Sequence, residues 1–318
     1  MACSLTSLAA VGSLAFVGTA SGAATATHSA GGAPVGEPRI RRLAFGSILG
    51  LCLVAAFVAP SSGAVAKEKP VYYLALGDSL AIGVQPTATS ASGATEDGYA
   101  DQLADMLRAE IPDLRLVKLG CGGESTATMV GVVQPTPSGE GCGPGLYPHG
   151  TQLAEAVSFL HAHRNHLALI TIDIGANDTF CLLDLDRACF DAGMQHIRTN
   201  LAKILQELQA AAGPNTVIVG MTYYNPFAVF WFDDPAYARA IDDLFIEFNG
   251  VLQQTYADAD VPVADVGGAF HVGEFPLSAD LVCRWTWMCT PSPLGPDIHP
   301  NRQGYRVIAS AFDAARQR

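Results

Sequence analysis

A chain of 318 residues, 49% hydrophobic and 15% charged, has the balance of a globular protein and the length for one large domain or two small ones. Eighteen basic against 30 acidic side chains give a formal net charge of −12, and no arginine-rich helix appears, which excludes a phosphate-gripping nucleic-acid surface. The same acidity gives no attraction to anionic headgroups, so any contact with lipid has to be apolar.

Residues 1–66 read as a targeting segment. Arg39, Arg41 and Arg42 form a basic region, residues 43–59 an almost unbroken apolar run, and Ala64-Val65-Ala66 a small-residue cleavage site. The run is short for a membrane span and ends at Pro60-Ser61-Ser62-Gly63, which suits a signal peptide cut near Ala66 better than a retained anchor. Arg41-Arg42 hints at twin-arginine export, but the residues after it fit that pattern poorly, and the general secretory route is expected. Upstream of Glu37 the chain is rich in Ala, Gly, Ser and Thr and lacks charge, so translation is expected to start nearer Val35, with residues 1–34 a mis-assigned start. Loss of residues 1–66 leaves 15 of the 18 basic and 29 of the 30 acidic groups, a net charge of −14, on an extracellular protein.

That cut removes Cys3 and Cys52 and leaves six cysteines, an even number that suits an oxidising compartment. Six cysteines allow fifteen pairings. Spacing favours three local bridges, Cys121 with Cys142, Cys181 with Cys189 and Cys283 with Cys289, each closing a loop rich in Gly, Pro or Asp. A zinc site would want C-x-x-C pairs with histidine partners; none occurs, and no metal is expected.

From Val71 onward short apolar runs alternate with longer helical patterns, the signature of stacked βαβ units and a mostly parallel sheet. Strands are predicted at 71–76, 114–119, 167–174, 216–221 and 261–266, and helices at 99–110, 152–163, 192–212, 236–257 and 304–315. The near-continuous apolar runs at 167–174 and 216–221 call for a sheet covered by helices on both faces. With no internal repeat and no interior linker, residues 67–318 read as one domain. A monomer is expected.

Ligands of such open sheets sit where the carboxyl ends of strands deliver their loops. Gly77-Asp78-Ser79-Leu80 follows the first predicted strand, Gly120-Cys121-Gly122-Gly123-Glu124-Ser125 the second and Gly175-Ala176-Asn177-Asp178 the third, while Asp297-Ile298-His299-Pro300-Asn301 stands near the end. Each alone is a weak signal; in this order and at strand ends they reinforce one another. The set resembles the GDSL esterase and lipase family, also called SGNH hydrolases, over essentially all of residues 67–318. The resemblance implies a three-layer α/β/α, flavodoxin-like fold with a five-stranded sheet and no cofactor. It also implies Ser79 as nucleophile, His299 as base, and Ser79, Gly123 and Asn177 as oxyanion donors. The six cysteines and Trp285-Thr286-Trp287-Met288 further resemble secreted actinobacterial members.

Elementary chemistry asks for the same residue types. A serine hydroxyl is a poor nucleophile until a base takes its proton, and histidine titrates near neutrality. A tetrahedral oxyanion needs preorganised donors, and glycine lets a backbone amide approach closely. Asp78 and Asp178 read as loop-structuring acceptors of backbone hydrogen bonds. The family pattern puts the acid three residues before the histidine, where this chain has Pro296; Asp297, two before, is expected to orient His299, the alternative being a dyad oriented by a backbone carbonyl.

Other signals are weaker. The Gly120 to Gly123 run lacks the last glycine of a dinucleotide loop, and no G-x-S-x-G elbow is present. His161, His163 and His166 do not share one helical face and read as a solvated helix end. The aromatic segment 223–232 either lines an acyl pocket or caps the core. The expected function is a secreted serine carboxylic ester hydrolase acting on a lipid or other small ester through an acyl-enzyme. The alternatives are a carbohydrate O-acetylesterase on the same site and a non-catalytic surface or carbohydrate-binding protein on the same scaffold.

Overall fold

The predicted apolar runs form one sheet. Its strands are β1 (Tyr72–Gly77), β2 (Arg115–Lys118), β3 (Leu167–Asp173), β4 (Val217–Met221) and β5 (Val263–Ala264), in the order β2-β1-β3-β4-β5. Every neighbouring pair is parallel, so the sheet is parallel throughout where a mostly parallel one was expected. The computed structural model describes residues 70–87, 92–132, 142 and 145–318; the expected targeting segment 1–66, with Cys3 and Cys52, lies outside them.

Eight α-helices are present among the described residues: α1 (Tyr99–Leu107), α2 (Thr126–Met129), α3 (Gln152–His163), α4 (Arg187–Ala211), α5 (Pro235–Asp258), α6 (Val266–Ala269), α7 (Leu277–Trp285) and α8 (Arg302–Ala315). The central strands bury both faces: Tyr73, Leu74, Ala75 and Leu76 of β1 and Ile170, Thr171, Ile172 and Asp173 of β3 are fully enclosed. Helices have to supply that cover on each side. On one side α1 packs against α8, with the Tyr99 ring stacked on Phe312 at 4.8 Å, and α3, α4 and α5 pack in sequence as a second group. The result is the expected three-layer α/β/α sandwich.

Departures from the predicted boundaries have local causes. The fifth strand was expected over 261–266 but pairs only at Val263 and Ala264. Pro262 has no N–H to give a ladder, and the Asp265 side chain turns back to accept from Gly268 N at 3.0 Å and starts α6. Helix α4 begins at Arg187 rather than 192 because Asp186 caps it, accepting from Cys189 N at 3.1 Å. Helix α8 begins at Arg302 because Asn301 does the same for Gln303 and Gly304. The short helices α2 and α6 and the 3-10 turns Ala176–Asp178, Phe180–Asp184 and Pro226–Phe232 carry too few residues to show a period, and α7 was not predicted.

The three local cysteine pairs are joined as expected: Cys121–Cys142, Cys181–Cys189 and Cys283–Cys289. His163 closes α3 with its ring 4.5 Å from Tyr72 and 4.4 Å from Phe159, a packing contact. No helix among the described residues is long and apolar enough to cross a membrane. What the fold positions is the carboxyl edge of β1 and β3, where the flanking loops converge. Gly77, the last residue of β1, has φ +128°, and a Cβ there would run into the carbonyl of Asp173 at the end of β3.

Candidate active site

Ser79 stands in the tight turn that leaves β1. Leu80 N donates to the Asp78 carboxylate at 2.9 Å, Val84 N donates to Ser79 O at 3.0 Å, and the Tyr223 hydroxyl holds the second Asp78 oxygen at 2.9 Å. Asp78 thus accepts the backbone hydrogen bond expected of it and also anchors the turn to the segment after β4.

His299 reaches this turn from the loop before α8, with Nε2 3.0 Å from Ser79 Oγ. Its Nδ1 lies 2.6 Å from Asp297 Oδ1, which also accepts from the His299 backbone N–H at 2.8 Å, while the Ser92 hydroxyl donates to Oδ2 at 3.0 Å. Asp297 was expected to reach the imidazole by projecting on the same side of an extended segment. It does so instead by folding back over its own backbone in an Asx turn, which is why a spacing of two serves here. An ionised carboxylate only accepts, so Nδ1 carries the proton and, in the neutral ring, Nε2 is free to accept from Ser79. The loop is pinned on its far side: Trp287 N donates to His299 O, Asp297 N to Trp287 O and Asn301 N to Trp285 O, with the Tyr224 hydroxyl on Ile298 O at 2.7 Å. The Cys283–Cys289 bridge closes the segment that carries both tryptophans.

The second and third blocks are tied to each other. Asn177 Nδ2 donates to Glu124 O at 2.9 Å, and the Asp178 carboxylate accepts from Thr126 N at 2.8 Å and from the Thr126 hydroxyl at 2.6 Å, as a loop-structuring acceptor should. Gly123, at φ +81°, precedes the carbonyl that Asn177 holds. Ser79, Asn177 and His299 line one cavity of about 70 Å³, and Gly123 is not among its lining residues. Asp78 and Thr179 also line it, and the rest of its wall is largely apolar, with Phe180, Leu182, Tyr224, Phe227, Phe245 and Phe248. Phe227, from the aromatic segment, both lines this cavity and packs on Phe230 and Phe245, so pocket and core cap are one feature.

The electrostatics behind Ser79 are those of buried acids. Burial pushes the Asp173 carboxyl well above its ordinary range and the charge of Asp78 pushes it further, so it keeps its proton and donates to Asp78. The Tyr99 hydroxyl donates to its other oxygen at 2.5 Å. Burial also raises Glu124 to about 7, against the pull of its bonds from Thr128 and Gln152, and Asp178 to about 6, against its bonds from Thr126. Asp297 is the exception: burial disfavours its charge, but the bonds and charge of His299 and the bond from Ser92 outweigh that and hold it below the ordinary value.

Sequence reasoning gave Ser92, Gln152 and Asp173 no part in the site, and saw Glu124 and Tyr223 only as members of the second block and of the aromatic segment; of the first three, Asp173 left a signal, a carboxylate inside the apolar run Ile170 to Ile174. Cys121, Glu124 and Cys142 bring ligand atoms within 4.8 Å of one another, but both sulfurs are bonded in a disulfide and offer no thiolate to a metal.

The chain matches the model of the GDSL-like Lipase/Acylhydrolase family over residues 75–307. No curated protein sequence matches it. Among solved structures, an extracellular lipase from Streptomyces rimosus is 18% identical with a TM-score of 0.52, covering 77% of this chain and 99% of that one. A protein described as a GDSL-like lipase from Parabacteroides merdae is 16% identical with a TM-score of 0.50, covering 79% and 97%. An acetylxylan esterase from Geobacillus stearothermophilus is 17% identical with a TM-score of 0.48, covering 77% and 94%. The first two likenesses show a shared fold.

Carboxyls whose folded pKa is raised add stability that is complete below the unfolded value and is lost as pH rises through the folded one. For Glu124 that window runs from 4.5 to about 7 and for Asp178 from 3.8 to about 6. The urea midpoint is therefore expected to be higher at pH 5 than at pH 8, and Glu124→Gln is expected to narrow the gap. Equal midpoints in the native protein would contradict this account of the buried acids.

Proposed function

Because the chain belongs to the GDSL-like lipase/acylhydrolase family, we propose that it is a secreted serine ester hydrolase with Ser79 as nucleophile, His299 as base and Asp297 as the acid that orients it. The hydrogen-bonded series from Asp297 through His299 to Ser79, 2.6 and 3.0 Å, is the observation that carries the reading. Ser79 Oγ bonds to the acyl carbon and gives its proton to His299 Nε2, which passes it to the departing alcohol. Water then attacks the acyl-enzyme, His299 takes its proton, and the ester bond to Ser79 breaks to release the acid and return the hydroxyl. Negative charge on the acyl oxygen is met by the amides of Ser79 and Gly123 and by Asn177. One Asn177 Nδ2 hydrogen already holds Glu124 O, and that bond aims the second.

Export is supported by the targeting pattern in residues 1–66 and by three disulfides. The substrate is a short-chain acyl ester. The wall of the cavity is largely apolar and its volume, about 70 Å³, is small, which supports a short acyl chain. The same small volume favours, as a second reading, an acetyl ester on a carbohydrate.

Ser79→Ala and His299→Ala are expected to abolish hydrolysis of p-nitrophenyl butyrate. Asn177→Ala is expected to lower kcat by about 10²–10³, and Asp297→Asn by up to about 10⁴. Near-normal turnover in Asp297→Asn would leave a Ser79–His299 dyad in place of the triad. A second expectation concerns Phe227, one of the apolar residues that line the cavity: Phe227→Ala should raise the octanoate-to-butyrate ratio of kcat/KM by about tenfold or more, since each methylene fitted into an apolar pocket is worth about 10-fold or more. An unchanged ratio would mean that the chain does not run toward Phe227.

A further inference from the structure

The nucleophile turn and the oxyanion loop leave neighbouring strands, and the backbone ladder joins them as far as Cys121 N, which donates to Gly77 O at 3.1 Å; beyond that point a side chain has to hold them. One fully buried side chain spans them. Gln152 is the first residue of α3, whose start is fixed by Thr151 capping Ala154 N at 3.1 Å. Its Oε1 accepts from Gly77 N at 2.7 Å and its Nε2 donates to Gly77 O at 2.9 Å, so the amide brackets the residue just before Asp78 and Ser79. The same Nε2 lies 3.1 Å from Glu124 Oε2 and 3.2 Å from the Tyr147 hydroxyl, which in turn donates to Leu119 O at 2.6 Å at the end of β2. Glu124 follows Gly123, and its carbonyl is the one that Asn177 holds.

We propose that Gln152 is a positioning residue that fixes the nucleophile turn and the oxyanion loop to each other through Gly77 and Glu124. It touches neither Ser79 nor His299, and acts through the backbone of one loop and the side chain of the other. An amide suits the place, because Gly77 presents both a donor and an acceptor and the Glu124 carboxylate needs a donor, and the two Nε2 hydrogens serve Gly77 O and Glu124. The inference rests on the reading of Ser79 as nucleophile. Errors of about 1 Å between nucleophile and oxyanion donors cost on the order of 10² in rate, and they act on the transition state rather than on substrate binding.

Two variants and the native protein, assayed on p-nitrophenyl acetate with folding followed by near-ultraviolet circular dichroism, test this. Gln152→Leu keeps the bulk and removes the bracket; kcat is expected to fall roughly 10- to 100-fold with KM within about twofold of native. Gln152→Glu keeps the shape and the acceptor for Gly77 N, but when ionised it sets a charge against Gly77 O and Glu124. The charged and titratable groups around it are Glu124 and Tyr147, with Asp78 and Asp178 acting on Glu124 and Glu155 on Tyr147. Protonated, it again offers both donor and acceptor, so its kcat relative to native is expected to rise as pH falls from 8 to 5. Native kcat in Gln152→Leu, or a flat ratio with pH in Gln152→Glu, would overturn the role, and the ratio decides alone if Gln152→Leu does not fold. Inactivity of the native protein on every ester would instead reject the reading on which the inference rests.

Discussion

Where β1 and β3 end, the backbone of Gly77 lies against the backbone of Asp173, and the rest of the site hangs from that contact. Asp78 N donates to Asp173 O at 3.0 Å and lies 3.3 Å from its Oδ2, so the first residue of the turn that carries Ser79 is welded to the last residue of the neighbouring strand. Two carboxyls then share a fully buried space. A buried carboxylate is costly unless it is hydrogen-bonded on every side. Here one proton serves both acids, and Tyr99, Tyr223 and Leu80 N satisfy the remaining oxygens. Loss of any one of these partners would leave a buried carboxyl oxygen without a donor, so the cluster admits little variation in where Asp78, and therefore Ser79, sits.

A second constraint acts from the far end of the chain. His299 meets Ser79 across 220 residues, and the order needed for that contact is supplied locally by the disulfide-closed segment with Trp285 and Trp287, by Tyr224 and by the Asx turn of Asp297. The imidazole thus arrives on a short loop braced at both flanks. The third block is braced differently, through Thr126 and Glu124 of the second, so the loops after β2 and β3 behave as one unit.

Much of this was legible in the sequence because it is written in local chemistry. Strand runs at 71–76 and 167–174 and the glycines after them follow from period and turn propensity and put Ser79 and Asn177 at strand ends, while His299 follows no predicted strand and joins them through the family resemblance of the four blocks. Asp297 was legible as the nearest carboxylate but not in its geometry, which depends on a backbone fold-back that no period encodes. Gln152 was invisible, since a glutamine at a helix start is ordinary, and Tyr223 was legible only as part of the aromatic segment 223–232; only the approach of α3 to β1 and of the β4 loop to Asp78 gives them their partners. Gly123 was legible as a glycine that permits close approach, and it is not among the residues that line the cavity.

The central claim is that Ser79 is activated by His299. Incubation of the folded protein with a fluorophosphonate ester, followed by peptide mass spectrometry, measures it directly, because only a serine with an adjacent base reacts rapidly. The account predicts a single adduct on the peptide containing Ser79, formed in the native protein and slowed by orders of magnitude in folded His299→Ala. An adduct on another serine, or equal rates with and without His299, would contradict it.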